Sequence, residues 1–89
     1  MANYVLIRHS VEDYPKWKAA YDEHKPERVK AGVTDNKLFQ DADDPNMVTI
    51  IFDTEDLERA KEFTSSDAVK EIMQKAGVVS QPDIHFLED

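Results

Sequence analysis

The stretch that decides the fold is NYVLIRHSV, residues 3–11. It is rich in β-branched and aromatic residues and is followed by two acidic residues, which predicts a β-strand that ends there. Apolar side chains fall on both sides of this strand: Val5, Ile7 and Val11 on one, Tyr4 and Leu6 on the other. An antiparallel sheet covered by helices on one face normally has one apolar and one polar side, so this strand predicts a sheet with two apolar faces.

A helix is predicted to follow the first strand, with Asp13 as its N-cap. Bulky residues then recur at steps of four, three and four, and so share one helix face. They are Trp17, Tyr21, His24 and Arg28. Because Pro26 lacks a backbone donor, we expect a kink or a helix end near Lys25, then a resumed turn and a stop at Gly32.

Three further strands are predicted, over residues 33–40, 47–52 and 82–87. Residues 41–46 between the second and third strands are rich in Asp, Pro and Asn, which favour turns. The second and third strands should therefore form a hairpin.

Two short helices are predicted between the third and fourth strands. Asp53 or Thr54 is expected to cap the first, and Ser65 or Ser66 the second, which should end before Gly77. The resulting order, β-α-β-β-α-β, is typical of a ferredoxin-like α+β fold, a four-stranded antiparallel sheet with its helices on one face.

Composition narrows the class of protein. The length of 89 residues fits a single domain over residues 1–89. With 19 acidic against 11 basic residues the net charge is −8, which repels nucleic acids and anionic membranes. The start lacks the pattern of a signal peptide, no apolar run approaches the roughly 18 residues of a membrane span, and no cysteine is present. We therefore expect a cytoplasmic domain that binds neither nucleic acid nor membranes.

The uncovered face of the sheet is predicted to be an association surface. In the later strands Met47, Ile51 and Leu87 point away from the helices, as Tyr4 and Leu6 do in the first. Monomers rarely expose contiguous apolar patches larger than a few hundred Å². We expect a homodimer joined through this face, the alternative being a monomer with an unusually apolar surface.

Several positions along nearly the whole chain match the pattern of one known superfamily. They are Asp13-x-x-x-Trp17, Gly32, Asp44-Pro45-Asn46, Phe52, Ala60, Phe63, Met73, Ala76-Gly77-Val78 and Pro82. In these positions the sequence resembles small members of the dimeric α+β barrel superfamily, in its antibiotic biosynthesis monooxygenase-like branch. That superfamily includes cofactor-free oxygenases of polyphenols, haem-degrading enzymes and lactone isomerases. The Asn, Trp and His set of the haem-degrading branch has no match here.

The resemblance implies a dimeric α+β barrel of uncertain activity. It further implies, as an expectation, a cofactor-independent monooxygenase or isomerase that acts on a small aromatic or polyketide-like compound. The alternative is a non-catalytic dimer that binds small molecules or has an accessory role.

The candidate site is the helix face described above, with the sheet beneath it. His24 is expected to act as a general base, and Arg28, one turn later, to hold a phenolate, enolate or carboxylate. The residues expected to contact the substrate are Trp17, Tyr21, His9 and Phe63. No cofactor is expected.

Each of these residues also has a purely structural interpretation. Trp17 and Tyr21 then belong to the core, His24 hydrogen-bonds the backbone loosened by Pro26, and Arg28 reaches solvent or an acid. His9 faces the helices beside Trp17 and is partly exposed at the rim of the barrel.

No metal site is predicted. His9 and His24 are expected to lie too far apart to share an ion. His85 reaches His9 in only some strand registers, and two histidines without a third ligand do not define a metal site.

Overall fold

The computed structural model describes residues 2–89 and has the element order β-α-α-β-β-α-α-β. The strands are β1 (Asn3–Ser10), β2 (Val33–Gln40), β3 (Met47–Thr54) and β4 (Asp83–Glu88). The helices are α1 (Tyr14–Glu23), α2 (Lys25–Lys30), α3 (Leu57–Ser65) and α4 (Asp67–Lys75). The strands form one antiparallel sheet in the order β2-β3-β1-β4. The predicted ferredoxin-like α+β fold is confirmed, with each helical segment divided into two helices.

The break between α1 and α2 lies where the sequence predicts it. His24 is both the C-cap of α1 and the N-cap of α2, and Pro26 stands in the first turn of α2. Gly32 follows α2 with φ at +77°, a left-handed conformation that glycine adopts without steric cost.

The third helix begins later than predicted. Asp53 and Thr54, the expected caps, are instead the last residues of β3, where both pair with β1 and β2. Asp56 is the N-cap, and its carboxylate accepts hydrogen bonds from two backbone N–H groups of the first turn at 3.0 and 3.2 Å. Pairing on both sides of a central strand outweighs the local capping preference of an Asp or Thr. Ser66 caps α4, as one of the two predicted alternatives.

Three strand ends differ from the prediction by one residue, among them the end of β4 at Glu88 instead of Leu87. Val11 lies beyond β1, in an isolated bridge with Val78. β4 begins at Asp83 because Pro82 has no N–H to donate to the ladder.

The strand register places one row of side chains beneath the helices. Val5 pairs with Phe52 and with Phe86, so these three side chains point to the same face. Ile7, Ile50 and Val48 continue that row, and each is at most 5% exposed. The core therefore lies between the sheet and the helical layer.

A bulge in β2, between Asp35 and Lys37, reverses the alternation of its side chains. Asp35 pairs with Phe52 and so faces the helices, whereas Phe39 pairs with Thr49 on the opposite face. Asp35, before the bulge, places a carboxylate beneath the helices on the same side as Val33, and the bulge turns the Phe39 ring, 46% exposed, to the open face.

The open face of the sheet carries apolar side chains in all four strands, as predicted for three of them, with polar residues such as Arg8 and Thr49 between them. Its apolar side chains are Tyr4, Leu6, Phe39, Met47, Ile51 and Leu87. Within residues 2–89, no helix is long and apolar enough to cross a membrane.

Candidate functional site

A cavity of about 90 Å³ lies between the sheet and the helices. Strands β1 and β3 form its floor, and residues of all four helices form its walls. The six residues proposed from the sequence all line it: His9, Trp17, Tyr21, His24, Arg28 and Phe63. The remaining lining is mainly aliphatic, with Glu27 as a further charged residue that was not predicted.

His9 is the most unusual residue of the cavity. It is only 3% exposed, so the predicted partial exposure at the barrel rim is wrong. The indole of Trp17 covers it edge to face, with ring centroids 5.6 Å apart, which confirms the predicted neighbour. Among residues 2–89, His9 Nδ1 is the one buried side-chain nitrogen or oxygen without a hydrogen-bond partner. Such an atom costs about 1–3 kcal/mol of folding free energy, so it calls for an explanation.

The protonation state of His9 follows from its burial. Burial lowers the pKa of the imidazole, because the charged form loses hydration, and this outweighs an opposing interaction with the backbone of His9 itself. His9 is therefore neutral near pH 7. A neutral imidazole presents one acceptor and one donor, so it can pair with a hydroxyl group in either direction.

Three aromatic rings form a column along one wall. Tyr21 stacks between Trp17 and Phe52, with centroid distances of 4.9 and 6.3 Å. The guanidinium carbon of Arg28 lies 3.9 Å from the centroid of the Tyr21 ring. Tyr21 also donates a hydrogen bond from its hydroxyl to Asp35 Oδ1 at 3.0 Å, and burial raises its pKa. Tyr21 is thus a protonated, fixed part of the wall.

Arg28 is held by the same carboxylate. Its Nε and Nη2 donate to the two Asp35 oxygens at 3.1 and 3.3 Å, and its Nη1 donates to the Tyr21 carbonyl at 2.7 Å. The Arg28 side chain is 9% exposed and that of Asp35 is 31% exposed. Arg28 therefore reaches an acid, as its structural interpretation expects. Three of its five N–H groups are engaged, which leaves two for a ligand.

His24 lies at the junction of α1 and α2 and is half-buried. Its imidazole makes no capping hydrogen bond with α2, so this backbone contact of the structural interpretation is not formed. The side chain borders the cavity and is also partly open to solvent. It can therefore exchange a proton with both.

The structure brings no third ligand to the histidines. His85 pairs with Leu6 and lies on the open face, whereas His9 faces the helices, so these two side chains point to opposite sides of the sheet. Nowhere in the described chain, residues 2–89, do three His, Asp or Glu side chains cluster as a metal ion would need.

The buried state of His9 predicts a pH-dependent stability. Since the folded pKa lies below the ordinary value of 6.5, the unfolded chain binds more protons below that pH. The contribution of His9 is fully present above pH 6.5 and is lost as the pH falls through the folded pKa. Urea unfolding between pH 7 and pH 5 should show this loss, and the His9→Phe variant should lose less than the original chain. A His85→Phe control should behave like the original chain; equal pH slopes in all three proteins would contradict the prediction.

Comparison with solved structures shows the same fold in several proteins. A Bordetella bronchiseptica protein named as a candidate antibiotic biosynthesis monooxygenase superimposes with a TM-score of 0.79 at 16% identity, covering 99% of this chain and 96% of that one. A conserved protein from Methanosarcina mazei matches with a TM-score of 0.72 at 20% identity, over 98% and 91% of the two chains. A point variant of SnoaB, a cofactor-independent oxygenase from Streptomyces nogalater, matches with a TM-score of 0.73 at 11% identity, over 99% and 92%.

No family model and no curated protein sequence matches this chain. At the identities above, the structural likeness establishes the fold. The ferredoxin-like α+β fold of the single chain, expected from the resemblance to the antibiotic biosynthesis monooxygenase-like branch, is therefore confirmed.

Proposed function

We propose that this chain is a homodimeric protein that binds a small phenolic or enolic compound in the cavity and oxidises it with O₂, without a cofactor. The observation that carries the proposal is His9, a buried neutral imidazole with an unpartnered Nδ1 in the lining of an apolar cavity. An apolar pocket with a few converging polar groups is the usual form of a small-molecule site. The fold shared with SnoaB, a cofactor-independent oxygenase, supports the choice of reaction.

The three polar side chains of the cavity are assigned different tasks. His9 accepts or donates a hydrogen bond to the substrate hydroxyl and stays neutral, because burial opposes its protonation. His24 takes the hydroxyl proton, since it borders both the cavity and solvent and can release the proton again. Arg28, which lines the cavity and has two N–H groups without a partner among residues 2–89, is assigned to stabilise the developing oxyanion, although the Asp35 carboxylate balances the guanidinium charge.

The deprotonated substrate supplies the electrons for the reaction with O₂. One oxygen atom forms a bond to a ring carbon, that carbon loses its hydrogen, and the second oxygen atom leaves as water. A phenol is thereby converted to a quinone and O₂ is reduced. The protein contributes desolvation, orientation and the proton acceptor. An isomerase would use the same base on an enolisable substrate and would consume no O₂.

The second candidate function is non-catalytic binding in the same cavity. It is favoured by the ion pair between Arg28 and Asp35, which leaves no unbalanced positive charge beside the ligand. Both candidate functions require the ligand to bind, so a measurement of turnover is needed to distinguish them.

The test combines binding with O₂ consumption. Trp17, the one tryptophan of the chain, lines the cavity, so its fluorescence should change saturably when phenol is added. An oxygen electrode should then record O₂ uptake with an activated phenol such as catechol, and His24→Gln should abolish uptake while preserving binding. His85→Gln, on the open face, is the matched control. Binding without uptake would leave the non-catalytic candidate, and a flat fluorescence response would contradict both.

The homodimer is proposed to form through the open face of the sheet. At micromolar concentration, light scattering should give twice the chain mass of 10.2 kDa. Leu6→Lys should yield monomers, because Leu6 lies between Ile51 and His85 in the middle of that face and a buried lysine would lose its hydration. Val79→Lys, at a position 64% exposed, should remain dimeric. A monomeric original chain would contradict the proposal. The cytoplasmic location expected from the sequence stays a prediction.

A further inference from the structure

We infer that the cavity selects ligands with a single six-membered ring and that Phe63 sets this size limit. The inference deepens the binding part of the proposed function and rests on it. It concerns substrate class: a one-ring phenol is favoured over fused-ring compounds.

The volume of the cavity sets the first limit. An engineered apolar cavity of about 150 Å³ in another protein is known to bind benzene. The cavity here measures about 90 Å³. One ring already requires the walls to move outward slightly, and a second fused ring requires a wall to be displaced.

The aromatic column cannot move outward to make room for a second ring. Trp17, Tyr21 and Phe52 stack on one another, and the centre of the column is tied to Arg28 and Asp35 by hydrogen bonds and by the 3.9 Å cation–ring contact. Moving it would separate an ion pair whose arginine is almost fully buried. The sheet beneath is equally fixed by the ladders on both sides of β1.

Among the aromatic side chains that line the cavity, Phe63 is the one that stacks on no other ring. It lies on α3, is only half-buried, and lines the cavity. Within the described residues its ring joins none of the ring pairs that hold the column together. Phe63 is therefore the aromatic side chain whose truncation enlarges the cavity without disturbing the column or the ion pair.

The size limit can be measured because it should reverse the usual increase of affinity with the apolar surface of the ligand. In a site without such a limit, 2-naphthol should bind more tightly than phenol, because its second ring removes more apolar surface from water. In this cavity the order should be reversed. Isothermal titration calorimetry with the full chain should give phenol an affinity at least tenfold higher than that of 2-naphthol.

Truncation of Phe63 should shift the preference. Phe63→Ala is expected to raise the affinity for 2-naphthol at least tenfold, and Phe63→Leu should have a smaller effect in the same direction, which keeps the inference testable if the Ala variant does not fold. Val79→Ala, at a position 64% exposed and outside the cavity lining, is the matched control and should change neither affinity.

The outcomes separate this inference from the proposed function. Tighter binding of 2-naphthol than of phenol by the original chain would overturn the size limit and leave the binding proposal standing. An unchanged preference in both Phe63 variants would overturn the role of Phe63. Absence of binding of either compound to any of the proteins would overturn the proposed function, and the inference with it.

Discussion

Replacing His9 with phenylalanine is expected to weaken phenol binding about 10- to 100-fold and to leave the folded protein at least as stable as the original chain. The bound hydroxyl would lose its partner inside an apolar cavity, which costs about 1–3 kcal/mol. The folded chain, by contrast, would lose a buried nitrogen that has no partner of its own. The phenylalanine ring also keeps the edge-to-face packing on Trp17 that the imidazole makes.

Opposite effects on binding and stability are the signature of a binding residue. Calorimetry with phenol and urea unfolding at pH 7.5, where His9 is neutral in both folded and unfolded chains, measure the two effects separately. His85→Phe should leave the phenol affinity unchanged, because His85 lies on the opposite face of the sheet from the cavity. An unchanged affinity for His9→Phe would show that His9 does not meet the ligand; a large loss of stability would show that the imidazole has a structural partner.

Replacing Arg28 with methionine is expected to destabilise the protein by about 2–4 kcal/mol. Removing one member of a buried ion pair leaves the other charge without its partner, which costs about 3–5 kcal/mol when both are fully buried. The side chain of Asp35 is 31% exposed, so water compensates part of that loss. The variant also loses the hydrogen bond to the Tyr21 carbonyl and the packing on the Tyr21 ring.

A double-mutant cycle isolates the ion pair from the rest. Arg28→Met, Asp35→Ala and the double variant should give a coupling free energy of about 1.5–3 kcal/mol in urea unfolding, the range of hydrogen bonds to charged groups. Arg28→Lys should recover only part of it, because an ammonium group cannot bridge both carboxylate oxygens. As a control, Lys18→Met breaks an exposed pair with Asp22 and should cost at most about 0.5 kcal/mol. Additive single effects at Arg28 and Asp35 would contradict the expected coupling.

Local patterns were sufficient to predict most of the elements. Residues 33–40 are followed by a cluster of turn residues, and β2 has these bounds. Pro26 and Gly32 mark the division and the end of the first helical segment, since one lacks an N–H and the other tolerates a positive φ. The prediction that Asp53 or Thr54 caps α3 was wrong because it, too, rested on a local pattern. Capping preference is local, whereas the continuation of β3 depends on partners in β1 and β2.

The helical spacing of Trp17, Tyr21, His24 and Arg28 also placed them correctly around one cavity. A period of 3.6 residues determines which side chains share a helix face. It does not determine what lies opposite that face. The partner of Arg28 was therefore unknown until Asp35 was located on β2, where its pairing with Phe52 turns it toward the helices.

By itself, then, the sequence determined the order of the elements, the apolar open face and the group of side chains directed at the cavity, because each depends on residues a few positions apart. Only the tertiary structure decided that His9 is buried beneath Trp17 without a partner for Nδ1, that Asp35 binds Arg28 and Tyr21, and that the cavity measures about 90 Å³. These properties arise where separate elements meet, and there strand register, a single bulge and the packing of side chains set distances that no local pattern encodes.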